Sequence, residues 1–236
     1  MIGGVRFITP KGDLSQTRTT PEQVTILKNP YYLHQYARLR DRVAYHNVFE
    51  VGIYKGGTAI ALALMFPDIR IVSIDIDPVD EGVMEAVRAF DLSDRVHLHY
   101  GASQTDRERI EAIISEEFGN ERIELVTDDA SHQYASSRRT FEILLPFLAD
   151  ESLYVLEDWA WAHWGGKFET RELRPEPALT NLLFEWVMIA GTRNDVIREV
   201  TIEGAMATAY KNSRTRFENV AIEDLYLRRG KTLEPI

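Results

Sequence analysis

The chain has 236 residues, 44% of them hydrophobic, which is enough for one large domain with a buried core. A formal net charge of -10 argues against nucleic acid and anionic membrane as the main partners, because both need a basic footprint, although it leaves room for a local basic cleft. There is no cysteine, which excludes disulfides, a thiolate nucleophile and a zinc-thiolate centre.

Residues 1–20 mix Gly, Thr, Ser and charge with no period and read as an N-terminal arm or lid, with disorder or a homo-oligomer contact as the alternatives. They lack the charged segment and apolar core of a signal peptide, and the apolar run at 59–66 is too short to span a bilayer. The expectation is a soluble, cytoplasmic chain without a membrane partner. Thr20-Pro21-Glu22 looks like a helix start, with Thr as the N-cap and Pro in the first position, opening a leading helix over 21–45. Strands are expected at 47–51, 70–75, 95–100, 122–127 and 152–157, and helices at 57–66, 79–90, 105–118, 134–148 and 177–190. This alternation predicts a parallel sheet with helices on both faces. The runs 196–202 and 205–211, separated by Glu203-Gly204, read as an antiparallel hairpin. The expected fold class is α/β, a Rossmann-like, doubly wound, mostly parallel seven-stranded sheet with a C-terminal antiparallel hairpin. No internal repeat or second domain is evident; a core over 46–211 is followed by a tail over 212–236.

Gly52 follows the first buried strand directly, and Gly56-Gly57 opens the next helix. Glycines there let backbone approach a ligand closely. The spacing is G-x-x-x-G-G, with the bulky Tyr54 where a dinucleotide pyrophosphate needs close approach, so NAD is disfavoured. S-adenosylmethionine carries no phosphate and tolerates the looser loop. Glu50, Gly52, Tyr54, Gly56 and Thr58 are the candidate contacts to its methionine side. Asp75 ends the next strand 23 residues beyond Gly52, and a carboxylate there can accept both ribose hydroxyls; Asp77 competes for the role. Ser103, in Gly101-Ala102-Ser103-Gln104, lies where an adenine edge would rest. The alternative is an ordinary glycine turn among surface acids. With this loop, Asp75 and the hairpin, the chain resembles class I S-adenosylmethionine-dependent methyltransferases over roughly residues 45 to 211. The resemblance implies a sheet order that places the fourth and fifth of the parallel strands beside the first, with the cofactor across their carboxyl ends.

Asp128-Asp129-Ala130-Ser131-His132 stands at the end of the fourth of those strands, and Glu157-Asp158 at the end of the fifth. Neighbouring strands are about 4.8 Å apart, so these acids can surround one cation. Oxygen ligands favour a hard ion, Mg²⁺ before other divalent cations, over zinc. Such an ion would acidify a hydroxyl for attack on the sulfonium methyl, and His132 would take the proton. The two motifs resemble the metal-dependent sugar O-methyltransferases of antibiotic pathways, of the macrocin, mycinamicin and rhamnosyl type, with cephalosporin hydroxylase-like relatives. Their D-D-G-S-H and E-D pattern implies Asp129, Glu157 and Asp158 on the metal and His132 as the base. Ala130 departs mildly from the family's Gly, and the chain is shorter than the macrocin-type enzymes. Asp128 is either structural or near the adenine. The competing reading makes Asp129 and Glu157 helix caps or partners of Arg138 and Arg139, and His132 a cap.

The Trp159–Gly166 loop offers aromatic faces suited to a sugar or aglycone, or simply packs a crossover. His97 and His99 alternate on one strand and read as structural. The Arg-rich tail, Arg228-Arg229 included, reads as a solvated face or a subunit contact. The expected activity is Mg²⁺-dependent O-methylation of a small-molecule hydroxyl, on the sugar of a glycosylated natural product. A catechol-like acceptor, a non-methylating auxiliary protein and a ligand-binding module are the alternatives.

Overall fold

The computed structural model describes residues 1–10, 17–165, 176–212, 215–229 and 236. Two short parallel strands, β1 (Phe7–Ile8) and β2 (Val24–Thr25), precede the first helix, α1 (Pro30–Arg42). That helix does not begin at Thr20-Pro21. Thr20 and Gln23 close a turn, and the β-branched Val24-Thr25 pairs with β1. The same cap-then-proline signature recurs at Asn29-Pro30, where the Asn29 side chain accepts from the backbone N–H groups of Tyr31 and Tyr32. The second signature is followed by a buried face at helical spacing that carries Tyr36 and Leu39.

The remaining elements alternate: β3 (Asn47–Val51), α2 (Gly57–Met65), β4 (Arg70–Asp75), α3 (Glu81–Ala89), β5 (Val96–Tyr100), α4 (Arg107–Phe118), β6 (Ile123–Asp128), α5 (Tyr134–Leu144), β7 (Leu148–Glu157), α6 (Thr180–Thr192), β8 (Glu199–Glu203) and β9 (Met206–Asn212). The helix expected to reach residue 148 stops at Leu144, ahead of Pro146, which has no N–H for a continuing helix; β7 takes up the chain at Leu148. Seven strands form one sheet in the order β5-β4-β3-β6-β7-β9-β8. The first five run parallel, and β9 pairs antiparallel with both β7 and β8. The hairpin turn is Gly204-Ala205, one residue later than expected, with Glu203 facing Met206. Gly204 has φ +62, the left-handed conformation a two-residue hairpin turn requires. The expected fold class is the one observed. No helix among the described residues is long and apolar enough to cross a membrane.

Alternate residues of each strand face opposite helical layers. Phe49, Val51, Val126, Tyr154 and Leu156 pack with Phe141 and Leu144 of α5 and Leu182 and Trp186 of α6. Val48, Leu125, Leu153 and Val155 pack with Tyr36 and Leu39 of α1 and Ile60 and Leu62 of α2. Strand order reverses between β3 and β6, and in an open sheet that switch point leaves a crevice beyond the strands' carboxyl ends. Every candidate functional motif lies on that edge.

Candidate active site

Gly52 opens the loop between β3 and α2 with φ +102. A Cβ there would lie 2.4 Å from the carbonyl oxygen of Asp129, so glycine lets the end of β6 pass close by. Asp75 holds the same loop from the other side: its Oδ2 accepts from the N–H groups of Ile53 and Tyr54, each at 2.8 Å, and its Oδ1 from Asp77 N–H at 2.9 Å. Above these groups opens a cleft of about 430 Å³, lined by Gly52, Tyr54, Asp75, Ser103, Gln104, Asp129 and Ala130 among others. That is within the range of small-molecule sites, roughly 300–1,000 Å³. Tyr54 also shares a hydrogen bond of 3.2 Å with Thr17 of the N-terminal arm.

Four of the eight residues expected at the cofactor do not line the cleft. Gly56 and Thr58 lie at the start of α2. Glu50 is 2% exposed and accepts from the Ser73 hydroxyl at 2.6 Å. Burial pushes its carboxyl up to about 8, against the opposing hydrogen bond from Ser73 and the charge of Lys28. The folded state therefore holds this proton more tightly than the unfolded chain. That contribution to stability is complete below the ordinary value of 4.5 and is lost as pH rises through about 8. Glu50→Gln should remove the loss, which between pH 6 and pH 9 is roughly 2–3 kcal/mol. Urea titrations of both proteins at pH 6 and at pH 9 check this, and equal pH dependence in the two would refute it.

Strand alternation separates Asp128 from Asp129. Asp128 shares the face of Val126, is 2% exposed, and accepts from the Tyr154 hydroxyl at 2.9 Å; burial pushes its carboxyl up to about 7. It lies inside the sheet–α5–α6 layer, away from the cleft. Asp129 turns the other way, toward the crevice and α1.

The acids gathered there meet partners that sequence reading did not single out. Lys28, 6% exposed, donates to Asp129 Oδ2 at 2.5 Å and to Glu157 Oε2 at 2.7 Å. Tyr32 donates to Asp158 Oδ1 at 2.7 Å, and Tyr36 donates to Glu157 Oε1 and shares a 2.7 Å hydrogen bond with Thr127. Tyr32 and Tyr36 are spaced by four, which puts them on one side of α1, while Lys28 precedes the cap residue Asn29. That spacing is the one signal that could have found the two tyrosines. Burial alone would lower the Lys28 ammonium's pKa, but Asp129 and Glu157 override it and hold the group charged. Burial, then the neighbouring Asp129, pushes the Asp158 carboxyl up.

His132 Nε2 lies 3.8 Å from Asp129 Oδ1, and its ring rests on Trp161 with centroids 4.1 Å apart. Of five non-glycine residues with positive φ among the described residues, three, Tyr54, His132 and Asp158, stand at strand carboxyl ends around this site. Such residues cost about 1–3 kcal/mol each and persist where surrounding structure enforces them. Arg138 and Arg139 are engaged elsewhere, Arg138 with Glu142, Glu185 and Glu223 and Arg139 with Glu142, so they do not neutralise the cluster. His97 and His99 both pair with Glu117 on α4, away from the crevice. Trp159 donates to the Gly204 carbonyl at 3.2 Å. Gly166, the end of the tryptophan-rich loop, lies outside the described residues.

As a metal site, the expected trio of Asp129, Glu157 and Asp158 does not fit a divalent ion in this arrangement, because a buried lysine already bonds two of its members and both Glu157 oxygens accept from protein donors. The group with a ligand atom each within 4.8 Å of the others is Asp129, His132 and Asp158.

Residues 49–159 match the family model of a methyltransferase domain. That span is a methyltransferase domain. It contains the Gly52 loop, Asp75, Ser103 and the whole acid cluster, while Lys28, Tyr32 and Tyr36 enter from outside it. Solved methyltransferases share the fold of this chain. MycE from the mycinamycin biosynthetic pathway, in complex with Mg and SAH, is 23% identical with a TM-score of 0.56, covering 80% of this chain and 51% of its own. A second MycE structure, with Mg, SAH and mycinamycin VI, is 22% identical with a TM-score of 0.56, covering 80% of this chain and 50% of its own. An O-methyltransferase from Bacillus cereus, in complex with SAH, is 16% identical with a TM-score of 0.52, covering 78% and 82%. The chain spans about half the length of the MycE chains. No curated protein sequence matches it.

Proposed function

We propose that this methyltransferase domain moves a methyl group from S-adenosylmethionine to a hydroxyl of a small molecule, with the sugar of a glycosylated natural product as the substrate class. The observation that carries the reading is adjacency. A cofactor-sized cleft framed by Gly52 and Asp75 runs directly into Asp129, and His132 lies 3.8 Å from that carboxylate. The acceptor oxygen attacks the sulfonium methyl, the new C–O bond forms as the S–C bond breaks, and the electron pair stays on sulfur as a thioether. The hydroxyl proton passes to His132 Nε2, whose ring is fixed by Trp161. Asp75 takes the ribose hydroxyls, and Ser103 and Gln104 border the base. The sugar class is supported by the mycinamycin-bound neighbour and by the tryptophan faces beside His132. A catechol-like aromatic hydroxyl is the rival acceptor.

A hard divalent ion, Mg²⁺ first, is a second reading of the acid cluster, favoured by the grouping of Asp129, His132 and Asp158 and by the Mg in the MycE structures. Those residues would hold it, or Glu157 if Lys28 were displaced, and it would supply a lowered hydroxyl pKa. His132 as a ligand would then be unable to serve as the base.

The test is transfer from labelled S-adenosylmethionine to panels of glycosides and catechols, with and without EDTA, together with calorimetric cofactor binding. Asp75→Ala is expected to weaken cofactor binding by about 10–100-fold, the loss of one or two charge-assisted hydrogen bonds. Tight NADH binding with none of S-adenosylmethionine would overturn the cofactor assignment, and turnover on catechols alone would overturn the sugar class.

A further inference from the structure

We propose that the Lys28 ammonium is the resident cation of the acid cluster and excludes a divalent ion from it, so that methyl transfer on this chain is metal-independent. The ammonium sits between carboxylates 101 and 129 residues away in sequence, at 2.5 Å from Asp129 and 2.7 Å from Glu157, where an ion shared by those acids would have to lie. It is tethered from both sides along the chain. Ile26 N–H bonds to the Ile8 carbonyl at 2.9 Å, and Asn29 caps α1. Neighbouring donors reinforce the arrangement: Tyr36 and Thr127 donate to the other Glu157 oxygen, and Tyr32 donates to Asp158 Oδ1.

The geometry also gives Lys28 a task. By holding Asp129 Oδ2, it fixes the carboxylate whose Oδ1 lies 3.8 Å from His132 Nε2, beyond hydrogen-bond distance. Lys28 is therefore a positioning residue for Asp129. An ammonium has three donors and no capacity to bind an alcohol as an ion does, so activation of the acceptor falls to His132 and to alignment with the methyl group. A lone acidic cluster would invite a cation from solution; here the cluster and its cation are folded as one unit, with the cation carried by a segment outside the methyltransferase domain proper.

The experiment is Mn²⁺ binding to the full chain, read by the electron paramagnetic resonance signal of the free ion, for wild type, Lys28→Met and Lys28→Arg. Wild type and Lys28→Arg are expected to bind no Mn²⁺ at the cluster. Lys28→Met should gain affinity for it, because the buried Glu157 and the half-buried Asp129 lose their partner. Turnover should survive exhaustive EDTA dialysis in wild type and fall by about 10–100-fold in Lys28→Met, the range for groups that orient a functional side chain. Mn²⁺ bound by wild type and released by Asp129→Asn overturns the proposal. So does EDTA-abolished turnover restored by Mg²⁺, or a folded Lys28→Met with no gain in Mn²⁺ affinity. If Lys28→Met does not fold, the wild-type titration decides alone: binding refutes and its absence supports. The inference rests on the methyl-transfer reading only for its turnover readout. Absent turnover with no Mn²⁺ bound would remove that reading and leave the Lys28 assignment standing.

Discussion

Replacing His132 by alanine is expected to lower kcat by about 10²–10⁴-fold, the usual contribution of a positioned general base, with cofactor affinity unchanged. The split follows from where the residue sits. His132 does not line the cleft of Gly52 and Asp75; it lines a small adjoining cavity with Trp161, Ala178 and Leu179. Its backbone is left-handed at φ 54, its side chain is 10% exposed, and Trp161 fixes the ring plane beside Asp129. Equal kcat for the two proteins would remove the base assignment. A rise in KM with unchanged kcat would make His132 a binding residue instead.

Trp186→Ala is expected to be the most destabilising single substitution in the α5–α6 layer, at about 3–5 kcal/mol. Trp186 has no exposed surface, and its ring meets Phe141 at 5.4 Å and Tyr154 at 5.6 Å between centroids. Removing it leaves a large cavity against β7 and loosens Tyr154, the donor to buried Asp128. Folded domains of this kind are stable by only about 5–15 kcal/mol, so the loss takes a large part of the total. Urea unfolding measures it, with Val187→Ala, on the exposed side of the same helix, as the control expected within about 0.5 kcal/mol. A difference below about 1 kcal/mol between the two variants would show that the aromatic cluster repacks.

The sheet was legible because its evidence is local. Buried parallel strands read as short β-branched runs, and β3, β4, β5 and β6 fall within a residue of expectation at nearly every end. The C-terminal hairpin was visible in Gly204, although its turn is one residue later than the strand pattern suggested. The leading helix was misplaced because Thr20-Pro21 and Asn29-Pro30 carry the same capping chemistry. The choice between them depends on β1, whose two-residue pairing with β2 no local pattern announces. Asp128 and Asp129 are neighbours in sequence, yet alternation sends one into the core and the other into the crevice; the phase of β6, with Leu125 and Val126 on opposite faces, already contained that split.

The acids at the strand ends and the glycine loop beside them were determined by sequence alone, since the carboxyl ends of a doubly wound sheet must come together once the strands are parallel. What neutralises those acids was decided only by tertiary structure. Lys28 reaches Asp129 and Glu157 because α1 packs on the face of Val48, Leu125 and Val155, and no pattern within a window of a few turns encodes a contact across more than a hundred residues. The charge of a buried carboxylate is set by what is folded against it, and that partner lies elsewhere in the chain.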